Sequence, residues 1–190
     1  MTITFTGKIP IAKCQIKNRL TQKRVPATFF EYDCRDIEDS IEVKTAKRMY
    51  SFKDTISRYM GIKTKQLQGR GEPIKERFFG LATKNGELVG LAQTKTDARG
   101  THIDFIETDF SNYKHAGQNM LALIGKYGME NSKEKRLIVD CYTDNAYSFY
   151  ADKCKFKPYD KGKKLALGQK GVRKLIQRAQ TKSKSSFKEI

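Results

Sequence analysis

The chain has 190 residues, enough for one domain with a hydrophobic core, and its 38% hydrophobic and 11% aromatic content excludes disorder throughout. Its 38 Lys and Arg residues against 21 Asp and Glu residues give a formal net charge of +17. This excess is larger than solubility requires and predicts a polyanionic or acidic partner, for which RNA and acidic proteins are both candidates.

The cysteines predict neither a zinc site nor a disulfide framework. Cys14, Cys34, Cys141 and Cys154 contain no close pair at zinc-like spacing, so we expect buried free thiols and no metal. A catalytic cysteine would need a partnered base, and the chain has only two histidines. No signal peptide or long apolar run is visible, which predicts no transmembrane segment and a reducing cytoplasm as the compartment.

The first third of the chain predicts strands followed by helices. Residues 1–24 predict one or two short strands, and residues 26–33, rich in aromatic and β-branched side chains, predict the first strand of the main sheet. Asp36 and Ser51 are expected to cap two helices. Residues 61–75 then predict a flexible basic loop, whose Gly69-Arg-Gly71 lacks the strand-then-helix setting of a dinucleotide fingerprint.

The clearest local signal in the chain is a hairpin. Asn85-Gly86 lies between apolar runs at residues 77–83 and 87–94, and this dipeptide favours a two-residue turn in which both positions take positive φ. A second turn at residues 97–100 leads into a further strand. Three consecutive antiparallel strands are therefore expected.

Residues 102–156 predict strand, loop, helix, strand, helix and strand. Apolar and polar residues alternate over 102–110, small and polar residues occupy 111–117, and a helical apolar stripe follows at Met120, Leu121, Leu123, Ile124 and Tyr127. A second strand is expected over 136–143, parallel to the first, because a strand–helix–strand unit is normally a crossover within one sheet. The helix N-terminus would present free backbone N–H groups suited to phosphate.

The C-terminal end is basic. Leu165 and Leu167 predict a strand, and Val172, Leu175 and Ile176 predict a helix that begins near Gly171. We expect one domain over residues 1–180 and a disordered basic tail over 181–190. Basic residues interleaved with apolar ones here suit RNA, an acidic protein or an anionic membrane surface, although few aromatic residues are available to stack on bases.

Two segments within residues 102–156 resemble motifs of a known family. Asn145-Ala-Tyr-Ser-Phe-Tyr150 followed by Phe156 resembles the carboxyl half of the GNAT N-acetyltransferase core, and His115-Ala-Gly117 occupies the place of that family's pyrophosphate loop. In the family that loop reads Arg or Gln, two residues, Gly, one residue, and Gly or Ala. Gly117 fits the last of these positions, whereas His115 stands where the family has its first Gly, and Asn112 stands where it has Arg or Gln. Lys155 replaces the usual Gly before Phe156, and the Tyr150-to-Phe156 spacing is one residue longer than common.

The resemblance implies an α+β, three-layer fold with a mixed, mostly antiparallel sheet, a parallel strand–helix–strand crossover and flanking helices. It implies that the pantetheine of acetyl-CoA lies between the two parallel strands, while its pyrophosphate meets the start of the following helix. The cofactor-binding residues would be Phe110, His115, Ala116, Gly117, Gln118, Asn119 and Asn145. Asn145 has a second interpretation as the cap of its helix.

Acetyl transfer to an amine also needs an acid for the departing thiolate and a base for the amine. Tyr150 stands at the family's Tyr position and is the candidate acid, although at least one of the neighbouring aromatic residues should pack in the core. Glu107 is the candidate base because it would share an apolar strand face with Ile103 and Phe105. Asp104, His102 or an ordered water are the alternatives.

Three classes of function remain open. The first is a CoA-dependent N-acetyltransferase that transfers acetyl to a primary amine on an acidic or RNA-associated acceptor. The second is an inactive protein of the same fold that binds nucleic acid, which the departures at Asn112 and His115 favour. The third is a protein-interaction module that uses the basic end.

Overall fold

The computed structural model describes residues 8–32, 75–129, 134–160, 163–184 and 186–190. The helices predicted to begin at Asp36 and Ser51 lie outside these residues, as does Cys34. The predicted basic loop of residues 61–75 also lies outside them, apart from Lys75, which begins a strand.

The described strands form a single mixed sheet, in the order β10-β1-β2-β3-β4-β5-β7-β9-β8, with β6 paired to β1. Most neighbours are antiparallel, and β5 and β7 are parallel. The strands are β1 (Lys8–Asn18), β2 (Arg24–Tyr32), β3 (Lys75–Thr83), β4 (Leu88–Asp97), β5 (Gly100–Thr108), β6 (Tyr113–Lys114), β7 (Arg136–Asp140), β8 (Lys157–Pro158), β9 (Lys164–Gly168) and β10 (Lys188–Glu189).

The helices of the described residues are α1 (Ala116–Leu123), α2 (Asp144–Ser148) and α3 (Gln169–Ser183). Single π-helical turns continue α1 over Ile124–Gly128 and α2 over Phe149–Lys153. The chain is therefore α+β with a mixed sheet, as the sequence predicted. Among these helices, none combines the length and apolar character that a bilayer crossing would require.

The N-terminal strand is longer than expected. The sequence predicted one or two short strands before residue 25, and β1 runs unbroken for 11 residues from Lys8. Its inner edge pairs with β2, and its outer edge pairs with β10 at Ala12 and Lys13 and with β6 at Lys17 and Asn18. This strand thus joins the start of the chain to its end and to the segment before α1.

The β3–β4 hairpin is confirmed, but its turn differs from the predicted type. Gly86 has φ 80°, whereas Asn85 does not take a positive φ. The Gly86 N–H donates to the Thr83 carbonyl at 3.0 Å and the Thr83 N–H donates to the Glu87 carbonyl at 2.8 Å. The loop therefore has three residues, with glycine alone in the left-handed position, which is the next most common hairpin connection.

Strand β5 carries a β-bulge at the point where its pairing with β7 ends. Thr94 of β4 opposes Ile103, but Gln93 opposes Phe105, so Asp104 is an extra residue in β5. The parallel pairing with β7 covers Thr101 to Ile103 and goes no further, although β5 continues to Thr108. A bulge bends its strand and increases the local twist, and β7 itself ends at Asp140, directly after its last residue paired with β5.

The two faces of the sheet carry separate apolar clusters. The larger cluster includes Ile103 and the buried residues of α1 and α3, so both helices cover the same face. The smaller cluster on the other face contains Phe30, Tyr32, Phe78, Ala82, Leu88 and Leu91, with Phe105 packed against it. Helices α1 and α3 approach closely where Gly125 meets Val172, since a Cβ on Gly125 would lie 2.7 Å from that side chain.

The C-terminal strand and helix are confirmed as β9 and α3, and regular structure continues into residues 181–190, for which the sequence predicted disorder. Helix α3 continues to Ser183, β10 pairs with β1, and Phe187 is buried in the larger cluster. The free edge of β1 supplies hydrogen bonds for the tail, and the aromatic ring supplies buried apolar area. The composition of the tail indicated neither its pairing with β1 nor the burial of Phe187.

Replacing Phe187 with alanine should lower the free energy of unfolding by about 3 kcal/mol, the usual cost of removing a buried aromatic side chain. Urea denaturation measures this change. The matched control is Lys188→Ala, an exposed neighbour whose replacement should change stability by less than about 0.5 kcal/mol. Equal, negligible effects of both changes would show that the tail is not docked.

Candidate functional site

The N-terminus of α1 is open. His115 precedes the helix in a left-handed conformation with φ 70° and ψ −5°, no side chain caps the helix, and its first turn has no acidic residue. In the described part of the chain, no acceptor meets the amide N–H of Ala116, Gly117 or Gln118. These groups and the positive end of the helix dipole favour an anion.

His115 takes a left-handed backbone conformation, which glycine adopts more readily than other residues. A left-handed backbone costs an L-residue roughly 1–2 kcal/mol, although histidine is among the residues that tolerate it better. The sequence suggested that His115 would face a φ that it disfavours, and the structure shows this conformation.

Positive charge surrounds the start of α1. Burial lowers the pKa of His115, and the charges of Lys182, Lys114, Lys17 and Arg24 lower it further. These four side chains come from α3, β6, β1 and β2, so the tertiary fold gathers them. Their combined field adds to the dipole of α1 and favours a phosphate group at this place.

The segment between β5 and α1 is held by several hydrogen bonds. The backbone N–H of Asn112 donates to Asp109 Oδ1 at 3.1 Å and its Nδ2 donates to Asp109 Oδ2 at 2.7 Å. The Tyr113 hydroxyl donates to Glu87 Oε2 at 2.7 Å, and Asn119 Nδ2 donates to the Gln15 carbonyl at 2.8 Å. Asn112, which stands at the motif's Arg or Gln position, thus shapes the loop.

The start of α1 meets the end of β5 and the turn after α2. A Cβ on Gly117 would lie 3.4 Å from Thr108 Oγ1 and 3.7 Å from Phe149 Cζ, and the Phe149 and Tyr150 ring centroids are 5.3 Å apart. Phe149 therefore contacts both Gly117 and Tyr150. Thr108 and Phe149 were not predicted as site residues, because only the tertiary contacts place them here.

Tyr150 is buried beside two thiols. Its ring packs edge-on against Phe149 and, at 5.6 Å between centroids, against Phe156. Burial raises the pKa of Tyr150, and the neighbouring Cys141 and Cys154 raise it further, so the phenol stays protonated at neutral pH. Of the three adjacent aromatic residues, Tyr147 is exposed, whereas Phe149 and Tyr150 pack with the larger cluster.

Glu107 does not share a face with Ile103. The bulge at Asp104 reverses the alternation, so Ile103 and Ile106 pack in the larger cluster while Phe105 packs in the smaller one. Glu107 opposes Leu91 and lies on the face of Phe105, away from α1. The successive apolar residues Phe105 and Ile106 are the sequence signal that could have revealed the bulge.

The alternative bases each have a partner. Asp104 Oδ2 lies 2.7 Å from Lys95 Nζ, and His102 Nε2 lies 3.2 Å from Asp97 Oδ1. Glu107 remains in the stretch of β5 that has no pairing with β7.

The outermost predicted residues lie at the carboxyl ends of the parallel strands. Phe110 is 72% exposed after β5, and Asn145 is exposed in the first turn of α2. Asn145 is not the helix cap, because Thr143 Oγ1 accepts the hydrogen bond from the Ala146 N–H at 3.2 Å. Exposed Tyr142 and Tyr147 lie in the same region, following β7 and on α2.

The described cysteines are free and buried, as expected. Burial raises the pKa of Cys14 to about 12 and that of Cys154 to about 11, and it also raises the pKa of Cys141. These thiols remain protonated at neutral pH, which argues against a thiolate nucleophile.

No protein-family model matches the chain, and no curated protein matches it. Among solved structures it is similar to "The crystal structure of KacTA-DNA complex", with a TM-score of 0.48 and 14% sequence identity. The match covers 66% of this chain and 86% of that chain. Because the TM-score is below 0.5, we draw neither the fold nor the function of this protein from it.

The lowered pKa of His115 predicts a pH effect. The unfolded chain binds this proton more readily than the folded protein, so the free energy of unfolding should fall as pH drops below about 6.5, the ordinary histidine value. His115→Asn keeps a residue that tolerates the left-handed conformation but removes the titration. Urea denaturation between pH 7.5 and 5 should show a shallower pH dependence in the variant, and identical profiles would contradict the assignment.

Proposed function

We propose that the protein is a CoA-dependent N-acetyltransferase that transfers acetyl from acetyl-CoA to a primary amine. The observation that carries this proposal is the end of the β5–β7 pairing at the bulge, together with the uncapped N-terminus of α1. We infer that the strands part beyond this point, so that an extended thioester arm would fit between them and the unpaired edge of β5 would offer backbone hydrogen bonds. Its diphosphate then reaches the helix terminus.

The diphosphate would be bound by the backbone around His115, Ala116 and Gly117 under the field of the four surrounding cations. Gln118 Nε2 is buried without a hydrogen-bond partner among the described residues. Buried unpaired groups are rare in proteins, so this amide is a further candidate to meet the cofactor, whereas the Asn119 side chain is fully buried and bonds Gln15 and Cys14. Phe110 and Asn145 would form the outer wall, since both are exposed at the carboxyl ends of the strands.

Chemistry would take place where the strands part. Tyr150, kept protonated by burial, would donate its hydroxyl proton to the departing thiolate, and Glu107 would accept the proton of the amine from the opposite face of the sheet. Holding the amine and the thioester in contact removes several kcal/mol from the barrier. An acidic or RNA-associated acceptor would suit the positive surface.

A second candidate function is a nucleic-acid-binding or protein-interaction module of the same architecture without catalysis. The contact between Phe149 and Gly117 favours this alternative, because the ring lies beside the helix terminus where the cofactor would pass. The departures from the motif at Asn112 and His115 agree with it. The two candidates differ in whether acetyl-CoA binds.

Acetyl-CoA at 100 times its dissociation constant should raise the free energy of unfolding by about 2.7 kcal/mol, which calorimetry with and without ligand measures. Gly117→Ala should keep the fold, because the added methyl makes only van der Waals contacts with Thr108 and Phe149. Its crowding of the diphosphate should weaken binding by about tenfold or more, or about 1.4 kcal/mol.

Gly168→Ala, whose added methyl would meet open space, is the matched control and should bind acetyl-CoA normally. Absence of stabilisation at saturating acetyl-CoA would refute the transferase proposal in favour of the second candidate.

Tyr150→Phe and Glu107→Gln should each lower kcat by about 100-fold or more, the usual contribution of an acid or base, with acetyl-CoA affinity retained. Thiol release from acetyl-CoA in the presence of a panel of primary amines measures turnover, and calorimetric titration measures affinity. Unchanged turnover in either variant would remove that residue from the mechanism.

A further inference from the structure

A large basic groove lies between β9 and α3. Its volume is about 1130 Å³, and none of its lining residues is acidic. The basic lining residues are Lys155, Lys157, Lys170, Lys174, Arg178 and Lys182. The groove therefore presents a concave surface of a single charge sign, which concentrates anions more strongly than scattered surface charges do.

Four of these cations form a regular stripe on α3. Lys170, Lys174, Arg178 and Lys182 recur every four residues, so they lie along one side of the helix. The stripe is about 18 Å long at 1.5 Å per residue. That length corresponds to about five nucleotides along one strand of a duplex, at about 3.4 Å per nucleotide.

The groove cations have no acidic partner among the residues that the structure describes. None of the six forms an ion pair within the described part of the chain, and the Arg178 guanidinium donates to the backbone carbonyls of Lys174 and Cys154. Basic side chains outside the groove do form ion pairs, among them Arg77–Glu31, Lys95–Asp104, Arg99–Asp97, Lys126–Glu189, Arg136–Glu134 and Lys164–Asp140. Like charges four residues apart destabilise a helix, so this uncompensated stripe is suited to an external polyanion.

The lining also indicates which part of a nucleic acid it fits. None of the lining residues is aromatic, and the non-basic positions are small, polar or aliphatic, such as Ala166, Leu167 and Thr181. A groove without aromatic rings cannot stack unpaired bases, the main contact in single-strand binding. Lysine ammonium groups contact phosphate without reading sequence.

We propose that this groove binds the sugar–phosphate backbone of a double-stranded nucleic acid, with the α3 stripe contacting consecutive phosphates of one strand. This binding depends on neither acetyl-CoA nor acetyl transfer. Lys182 lines the groove, and its charge also lowers the pKa of His115. One end of the groove therefore lies near the N-terminus of α1. A bound duplex would thus lie next to the candidate site.

The test is fluorescence anisotropy with labelled 16-base-pair RNA and DNA duplexes between 50 and 200 mM salt. Each neutralised phosphate contributes about 0.9 to the slope of log K against log salt, so the wild-type slope should be about −4 to −5 on DNA. The variant Lys157→Gln/Lys170→Gln/Lys174→Gln, which leaves Lys182 beside His115 in place, should reduce that slope by about 2.7 and retain the wild-type melting temperature. Binding of both duplexes supports phosphate recognition, and tighter RNA binding assigns RNA as the ligand.

The control variant removes three positive charges from surfaces outside the groove. Lys13→Gln/Lys84→Gln/Arg173→Gln changes three exposed residues that do not line the groove, and Arg173 lies beside Lys174 on α3. This variant should keep the wild-type slope. An equal loss in both triple variants would show that net charge alone binds the duplex and would overturn the groove assignment.

Two further measurements test which ligand the groove binds. Tighter binding of a 16-nucleotide single strand, or equal binding of polyglutamate, would overturn the duplex proposal. Acetyl-CoA titration of the groove variant separates the groove from the cofactor site. Unchanged acetyl-CoA affinity is expected, and a matching loss of acetyl-CoA and duplex binding would reassign these lysines to cofactor phosphate.

Discussion

One extra residue in β5 determines the geometry of the candidate site. With Asp104 inserted, β5 pairs with β7 only up to Ile103, and a bulge bends the strand at the residue where this pairing ends. The same residue reverses the alternation of side chains, so Glu107 lies on the face of Phe105 while Thr108 contacts the start of α1. An unbulged β5 would place Glu107 on the other face, together with Ile103.

Positive charge is the second feature that shapes the candidate site. The first turn of α1 has no acidic residue and is surrounded by cations from β1, β2, β6 and α3, while the groove side of α3 carries a stripe of cations that form no ion pair with the described residues. These charges repel each other in the folded protein, and such repulsion is relieved when an anion binds. The two positive regions meet at Lys182, which connects the proposed cofactor site to the proposed nucleic-acid groove.

Local signals were predicted well, and long-range pairing was not. The Asn85-Gly86 hairpin, the β5–α1–β7 crossover and α3 were visible as turn residues and apolar periodicity, which depend on neighbours a few residues apart. The anchoring of the α1 loop to Glu87 and Gln15 was missed, because both partners are remote in sequence. Thr143 rather than Asn145 caps α2, a difference of two residues that periodicity does not resolve.

The sequence by itself determined the class of fold, the order of the strands and helices over the crossover, the excess of positive charge and the presence of Gly117 at a loop-to-helix junction. Only the tertiary structure decided where the β5–β7 pairing ends, which face Glu107 takes, that residues 186–190 dock on β1, and that the α3 cations line a groove with no acidic residue among its described lining. The physical reason is that periodicity records each element's own buried face, whereas bulges, edge pairing and charge convergence arise from contacts between elements distant in the chain.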